Sequence, residues 1–377
     1  MRSPDEQRQF LAQATLHVRS GRAASRRELA DLMRLSPSTA GQYVDQLLES
    51  GLLLESGLEK GAMGRPKRLL SVAAEAGWFA GVEFNAERVQ AVRVDFAGNV
   101  TGSHVEYLGP ELNAELVLKT IASVIKGLSG RAGTPLLGVG VGCPGVVDPT
   151  TGLALYYGFI SEWERVPVVD RLQKRFNVPV TVDNNLRAIA LAERWFGGGK
   201  DISNYVILGP RRGFGVAVVH EGRVVRGAKD AAGEIGRWPW PVADGTATQE
   251  MQDALNASVV YRRLAGLTNR GRLPLDLRAA LVSYADSEGD AWDGVIRDYA
   301  RVIGCLHLLL DSEIYFLHGP LTGLGDRFCE AVSARSAAIC PGLKESPPRI
   351  VASVLGDNAG ALGAASQAME AWMPDTA

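Results

Sequence analysis

The sequence predicts an α/β protein in which a winged helix-turn-helix precedes a larger body of strands alternating with helices. Three observations predict it. Between Ser25 and Arg68, helix starts, a turn and a basic loop follow one another in the order that such a motif requires. Beyond Gly77, apolar runs of strand length alternate with amphipathic stretches. Charge is divided unevenly: residues 1–72 carry 11 basic and 8 acidic side chains, whereas the whole chain has 40 Lys+Arg against 42 Asp+Glu. The long remainder is therefore mildly acidic and unsuited to binding DNA by itself.

The first helix of the motif starts at Ser25-Arg26-Arg27-Glu28, a capping-box spacing in which Ser25 accepts from the Glu28 N–H and the Glu28 carboxylate reaches back to the cap. Leu29, Ala30, Leu32 and Met33 supply its apolar face, and Arg34 to Ser36 make the turn. Ser36 is a good N-cap and Pro37 suits the first helical position. In the second helix Ala40, Val44, Leu47 and Leu48 face inward, leaving Ser38, Thr39, Gln42 and Gln46 to meet base edges. Gly51 ends it, "LLLES" makes a wing strand, and Lys60 to Arg68 form a basic Gly-Arg-Pro loop slim enough for a minor groove. The expected DNA-contacting set is Arg26, Arg27, Ser36, Ser38, Thr39, Gln42, Tyr43, Arg65, Lys67 and Arg68. A wing arginine contacts phosphate more often than it reads a base.

At 377 residues the chain exceeds one core, so two or three domains are expected. The polar start "MRSPDEQRQF" lacks a signal core and no apolar run reaches membrane-spanning length, which predicts a cytoplasmic protein without a membrane partner. Cys143, Cys305, Cys329 and Cys340 are scattered, as reduced thiols are, and five dispersed histidines offer little to a metal. Cys305 and His307 lie in "VIGCLHLLL", which reads as a buried helix.

Strands are expected at "WFAGVEF", "RVQAVRVDF", "LLGVGVGCPGVVD" and "PVTVDNN", with helices at "AELVLKTIASVIKGL", "VVDRLQKRF" and Leu186 to Phe196. After the "GGGK" break, "NYVILG", "GFGVAVVHEGRVVRG", a helical region from about Gln249 to Thr268 and "EIYFLHG" suggest a second lobe. Two such lobes are compatible with a diverged internal duplication.

The ordered set "GVGCPGVVDPTTG", "PVTVDNNLRAIALAERWFG", "RGAKDAAGEIG" and "LGDNAGALGAA" behind the winged helix resembles the ROK family of repressors, open reading frames and sugar kinases. The resemblance spans nearly the whole chain. It implies a bilobal actin-like, sugar-kinase (ribonuclease H-like) ATPase fold with a small-molecule cleft between lobes. The expected division is 1–75 for DNA binding, 76–190 for the first lobe with a helix at about 358–377 packing back, and 191–357 for the second.

Kinases of the family open with an acidic residue and Gly-Gly-Thr; the matching stretch is Glu83-Phe84-Asn85-Ala86-Glu87-Arg88, without glycine. The second phosphate loop, normally Gly-Thr-Gly-x-Gly, is Gly209-Pro210-Arg211-Arg212-Gly213. The catalytic Asp position is Asn185, which cannot take a proton from a sugar hydroxyl. Asp183, just before it, is expected to fix the helix entry. Arg237 stands at the family's zinc-ligating His, and no cysteine follows nearby. By position, Asn184, Glu234 and Glu250 match sugar-binding residues, and Phe159 replaces an Asn. Tyr156, Tyr157, Phe159 and Trp163 either stack on a pyranose or cover the cleft; Arg237 either favours an anionic ligand or pairs with Glu234.

The expectation is a non-enzymatic transcription regulator, a repressor, with no catalytic residue, metal or cofactor. Its partners are a double-stranded DNA operator, a sugar or sugar-derivative effector bound by Asn184, Glu234, Arg237, Glu250 and Phe159, and a second copy in a homodimer or higher homo-oligomer. The alternatives are a carbohydrate kinase with a fused DNA-binding domain and a ligand-independent regulator controlled by a protein partner.

Overall fold

The computed structural model describes residues 3–59, 67–130, 133–242, 247–268 and 272–374. The chain divides into two compact bodies, Met1–Ala188 with Gly360–Ala377, and Ile189–Ala359.

The first body begins with three helices, α1 (Pro4–Arg19), α2 (Arg26–Met33) and α3 (Pro37–Glu49), followed by an antiparallel hairpin of β1 (Leu53–Glu59) and β2 (Lys67–Val72). The polar amino terminus is thus a helix with its own capping box: Ser3 accepts from Glu6 N, and Glu6 bonds back to Ser3 N. Leu11, Ala14 and Val18 of α1 join Leu29, Val44, Leu47, Leu53 and Leu70 in one small core. That core holds the helix-turn-helix and its wing together.

Next come β3 (Trp78–Phe84), β4 (Arg88–Asp95), β5 (Val100–Tyr107), α4 (Ala114–Gly127), β6 (Leu136–Cys143), β7 (Val146–Asp148), β8 (Leu153–Tyr156), β9 (Glu164–Val166), α5 (Val168–Phe176), β10 (Val180–Asn184) and α6 (Asn185–Phe196). The main sheet has the order β10-β6-β3-β4-β5, an antiparallel meander extended by two parallel strands. Every residue of β3 is buried, as its unbroken apolar run requires of a strand covered on both faces. The C-terminal helix, Ala359–Ala371, lies against this sheet at backbone distance. A Cβ on Gly81 would stand 1.9 Å from the Ala361 carbonyl oxygen, and one on the cross-strand Gly140 1.7 Å from that of Ala364. Only glycine fits at either position.

The second body contains β11 (Tyr205–Pro210), β12 (Phe214–His220), β13 (Arg223–Val224), β14 (Pro239–Pro241), β15 (Thr248–Glu250), α7 (Met251–Leu255), α8 (Ala257–Leu264), α9 (Leu277–Val282), α10 (Asp290–Leu310), β16 (Ile314–Leu317), α11 (Gly325–Ile339) and β17 (Ile350–Ala352). Its sheet order, β13-β12-β11-β16-β17, repeats the first: a meander of three, then two parallel strands beyond the meander's first. The two lobes therefore share one topology despite their different sequences. The Gln249–Thr268 helical region is two helices, because Asn256 breaks it and caps α8 through Val259 N. His307 is buried in α10 against the Tyr315 hydroxyl at 3.2 Å, whereas Cys305 is exposed, contrary to a wholly buried stretch. Among the described residues no helix is long and apolar enough to cross a membrane.

Candidate functional site

The candidate DNA-reading surface is built on α3. Ser36 Oγ accepts from Thr39 N at 3.1 Å, and Pro37 occupies the first turn, so the helix starts where the sequence directs. Arg34 closes α2 in the left-handed region, with φ 52°, which makes the turn tight. Ser25 accepts from Glu28 N at 3.3 Å; the Glu28 carboxylate reaches Ala24 N rather than the cap itself. Ser38 and Gln42 are exposed and Thr39 half-buried, all beside the α3 start. Tyr43 requires correction: it is buried, stacked on Phe10 with centroids 5.5 Å apart, because it lies three residues from Ala40 and four from Leu47 on the inward face.

Two of the expected DNA-contacting arginines are internally paired. Arg26 Nη1 lies 2.6 Å from Asp45 and its Nη2 3.6 Å from Glu55, and Arg68 pairs with the same Glu55. This chain of charges ties α2, α3 and both wing strands together and offsets two arginines with two carboxylates. Arg27 is exposed. Arg65 lies outside the described residues, and Lys67 opens β2.

In the first lobe, Asn185 Nδ2 donates to Glu83 Oε1 at 3.2 Å, so the position expected to hold a catalytic base is a donor to a buried carboxylate. The loop after Glu83 is closed on itself: Asn85 Oδ1 accepts from the N–H groups of Glu87 and Arg88 at 2.8 and 2.9 Å. Donors that a phosphate would need are already used there. Asp183, 1% exposed, accepts from Asn184 N, Arg187 Nε and Gln367 Nε2 at 2.8, 3.0 and 3.1 Å. It fixes the entry of α6.

Asn184 is held at both ends of its amide, donating to the Gly145 carbonyl and accepting from Leu186 N, each at 2.9 Å. One N–H and one lone pair remain for a ligand. Gly145 in turn abuts the Tyr156 carbonyl, where a Cβ would come within 2.2 Å. Asn184 is thereby linked to the aromatic segment: Tyr156 and Phe159 are exposed, Phe159 packs on Tyr157 at 5.3 Å, and Trp163 is buried against Phe84. Glu162 in the same loop and Arg165 in β9 have φ of 60° and 50°, a strain that side chains tolerate only where surroundings dictate it.

In the second lobe, Gly209 to Gly213 is a tight hairpin joining β11 to β12, with Pro210 paired to Phe214 and Arg211 N donating to the Gly213 carbonyl at 2.9 Å. Arg237 is exposed with its Nε 3.8 Å from Glu234, a loose pairing. Glu250 stands opposite Pro239 in the β14–β15 ladder and accepts from Gln252 Nε2. Gln252 was not evident from the sequence, yet its Oε1 also borders Gly213 and Gly236, joining the hairpin to the Glu234–Arg237 turn. Among the described residues no three His, Cys, Asp or Glu side chains gather as a metal site would need.

The expected effector residues thus form two groups, Asn184 with Phe159 in one body and Glu234, Arg237 and Glu250 in the other. A buried cluster escaped sequence reasoning: Glu193 bonds His318 Nε2 at 2.8 Å, Ser353 Oγ, and Gly198 N at 2.9 Å. Burial opposes the charge on Glu193, but these donors outweigh it and hold its carboxyl below the usual glutamate range. His318 and Ser353 come from distant parts of the chain, just past the ends of β16 and β17, which no local motif announces.

The architecture is that of sugar kinases and their regulator relatives, preceded by a winged helix-turn-helix. The chain belongs to the ROK family, whose model matches residues 79–371. It is 29% identical over 215 residues to the xylose repressor of Caldicellulosiruptor bescii, an alignment covering 56% of this chain and 54% of that protein. The chain spans about half the length of the curated relatives it matches first. Its fold follows that of a ROK family transcriptional regulator, a homologue of the E. coli MLC protein, with TM-score 0.78 at 17% identity over 97% of each chain. A ROK family glucokinase from Streptomyces griseus, solved with glucose and AMPPNP, matches at TM-score 0.63 and 22% identity, covering 78% of this chain and 99% of that one.

Proposed function

We infer that this chain is a DNA-binding transcriptional repressor that responds to a carbohydrate or sugar derivative and transfers no phosphate. The observation that carries this reading is the donor Asn185 facing Glu83 where a family kinase would hold its base, in a chain that also presents Ser38, Thr39 and Gln42 on a capped recognition helix. The name of the xylose repressor relative supports the sugar class. Asn184, with the exposed rings of Tyr156 and Phe159, and Glu234, with Arg237 and Glu250, are the proposed effector contacts. In a homodimer, two copies of α3 would meet two half-sites of an operator. An effector that favours one conformation of the chain over another shifts the population that fits those half-sites.

The test uses the full chain. Duplexes are selected from a random library, and pentoses, hexoses, their phosphates and their acids are then screened for release of the selected duplex. A recovered palindromic duplex released by one sugar class is the expected result. Sugar-dependent ATP consumption without duplex selection would replace this reading with a kinase.

A further inference from the structure

Arginine almost never leaves water without well-placed partners. Arg19, the last residue of α1, is only 9% exposed. Its Nε donates to the Phe96 carbonyl at 2.7 Å and its Nη1 to the Met369 carbonyl at 3.2 Å. The guanidinium lies 4.3 Å from the Phe96 ring centroid, 5.4 Å from that of Phe79 and 5.8 Å from that of Trp372. Such a socket of carbonyls and aromatic faces suits a planar, weakly hydrated fork and would not suit an ammonium equally well. A second tie runs parallel to it, from Arg8 Nε to the Pro374 carbonyl at 3.0 Å. The helix that packs under α2 and α3 is therefore seated on the end of β4 and the last turn of the C-terminal helix.

The other end of that C-terminal helix meets the lobe's polar site. A Cβ on Gly360 would stand 2.2 Å from the Glu83 carboxyl, and one on Gly363 1.7 Å from the Ala188 carbonyl oxygen; Gln367 bonds Asp183. Contacts this close leave no slack between the helix and the segment 183–188. One rigid element thus touches the Glu83–Asn185 region at its start and Arg19 at its end.

We propose that Arg19 is the positioning residue that fixes the DNA-reading head on the C-terminal helix and carries to α3 any shift imposed on that helix at the segment 183–188. The functional part of this proposal rests on the reading that the chain binds DNA; the mechanical part does not.

The test places spin labels at Glu49→Cys on α3 and Ser123→Cys on α4 of the full chain, with Cys305 and Cys340 changed to serine. The parent should give one narrow label-to-label distance. Arg19→Met should broaden it while circular dichroism shows the helices intact, and Arg19→Lys, which keeps the charge but not the fork, should fall between. On duplexes selected with the parent chain, Arg19→Met should tolerate a wider range of half-site spacings and bind the preferred one about tenfold or more weakly, because linked sites gain avidity only when geometry lets both engage. A single half-site should bind as before. A narrow, unchanged distance in Arg19→Met overturns the proposal; should that variant not fold, an unchanged distance in Arg19→Lys overturns it equally. If the parent selects no duplex, the regulator reading fails while the distances still decide the role of Arg19.

Discussion

Asn185 donates to Glu83 across 3.2 Å inside the first lobe, so the amide at this position is part of the lobe's own hydrogen bonding. Asn185→Asp would restore the residue a family kinase uses but set two carboxylates against each other in a buried place. Like charges that close disfavour each other's ionised form. The variant should lose about 1–3 kcal/mol of stability at pH 7.5, with a smaller deficit at pH 5, and gain no ATP turnover. Thermal unfolding at the two pH values with a coupled ATPase assay checks both parts; turnover in the variant would mean that the loops still accept phosphate.

Pairing within the winged-helix head should have a measurable electrostatic effect on the proposed DNA binding. Asp45 offsets Arg26 at 2.6 Å, so Asp45→Asn should release a cation and strengthen binding to all duplexes with a steeper salt dependence. Gln42→Ala should instead lower discrimination among bases by about 1–3 kcal/mol at unchanged salt slope. Fluorescence anisotropy over a salt series separates the two behaviours.

Glu193 has its carboxyl held below the ordinary value of 4.5 by its donors, so the native state binds its proton less readily than the unfolded chain does. Its contribution is present at neutral pH, declines as pH falls below that value and vanishes once the folded carboxyl protonates. Glu193→Gln should cost about 1.5–3 kcal/mol at pH 7 through loss of charged hydrogen bonds. The deficit should shrink toward pH 3 in denaturant titrations; a deficit constant with pH would remove charge from the explanation.

Thiol reactivity should divide sharply. Burial pushes the Cys143 thiol far up and that of Cys329 to about 12, whereas Cys305 is exposed. Because the thiolate is the reactive form, a maleimide at pH 7.5 should label Cys305 in the native protein and reach Cys143 and Cys329 only after unfolding. Peptide mapping by mass spectrometry reads this directly.

Glu234→Ala should weaken the effector identified by screening by about 1–3 kcal/mol, since a sugar hydroxyl loses its acceptor, while duplex affinity without effector stays as in the parent. Calorimetry on the variant tests the first half and anisotropy the second. An unchanged effector affinity would relocate the site.

What the sequence revealed was what local chemistry controls. The Ser36–Pro37 start of α3 and the buried run of β3 follow from caps and periodicity. Helix α1 carries the same capping signal, at Ser3 and Glu6, but its polar composition concealed it. Tyr43 is expected among the DNA contacts, whereas helical spacing from Ala40 assigns it inward, where it is buried. The Asn85 turn was legible as an absence of glycine but not as a side chain consuming two amides. Arg19 and Glu193 were beyond reach. An arginine in an amphipathic helix reads as solvated, and two partners of Glu193, His318 and Ser353, lie 125 and 160 residues away along the chain.

Seating a head at one end of the chain on residues from the other has a temporal consequence. Arg19 and Met369 are 350 positions apart. At a synthesis rate of about 5–20 residues per second, the three-helix head would leave the ribosome tens of seconds before the Met369 side of its seat exists. A nascent chain would therefore carry an unmoored head, and the mature geometry would arise only as translation of this region finishes.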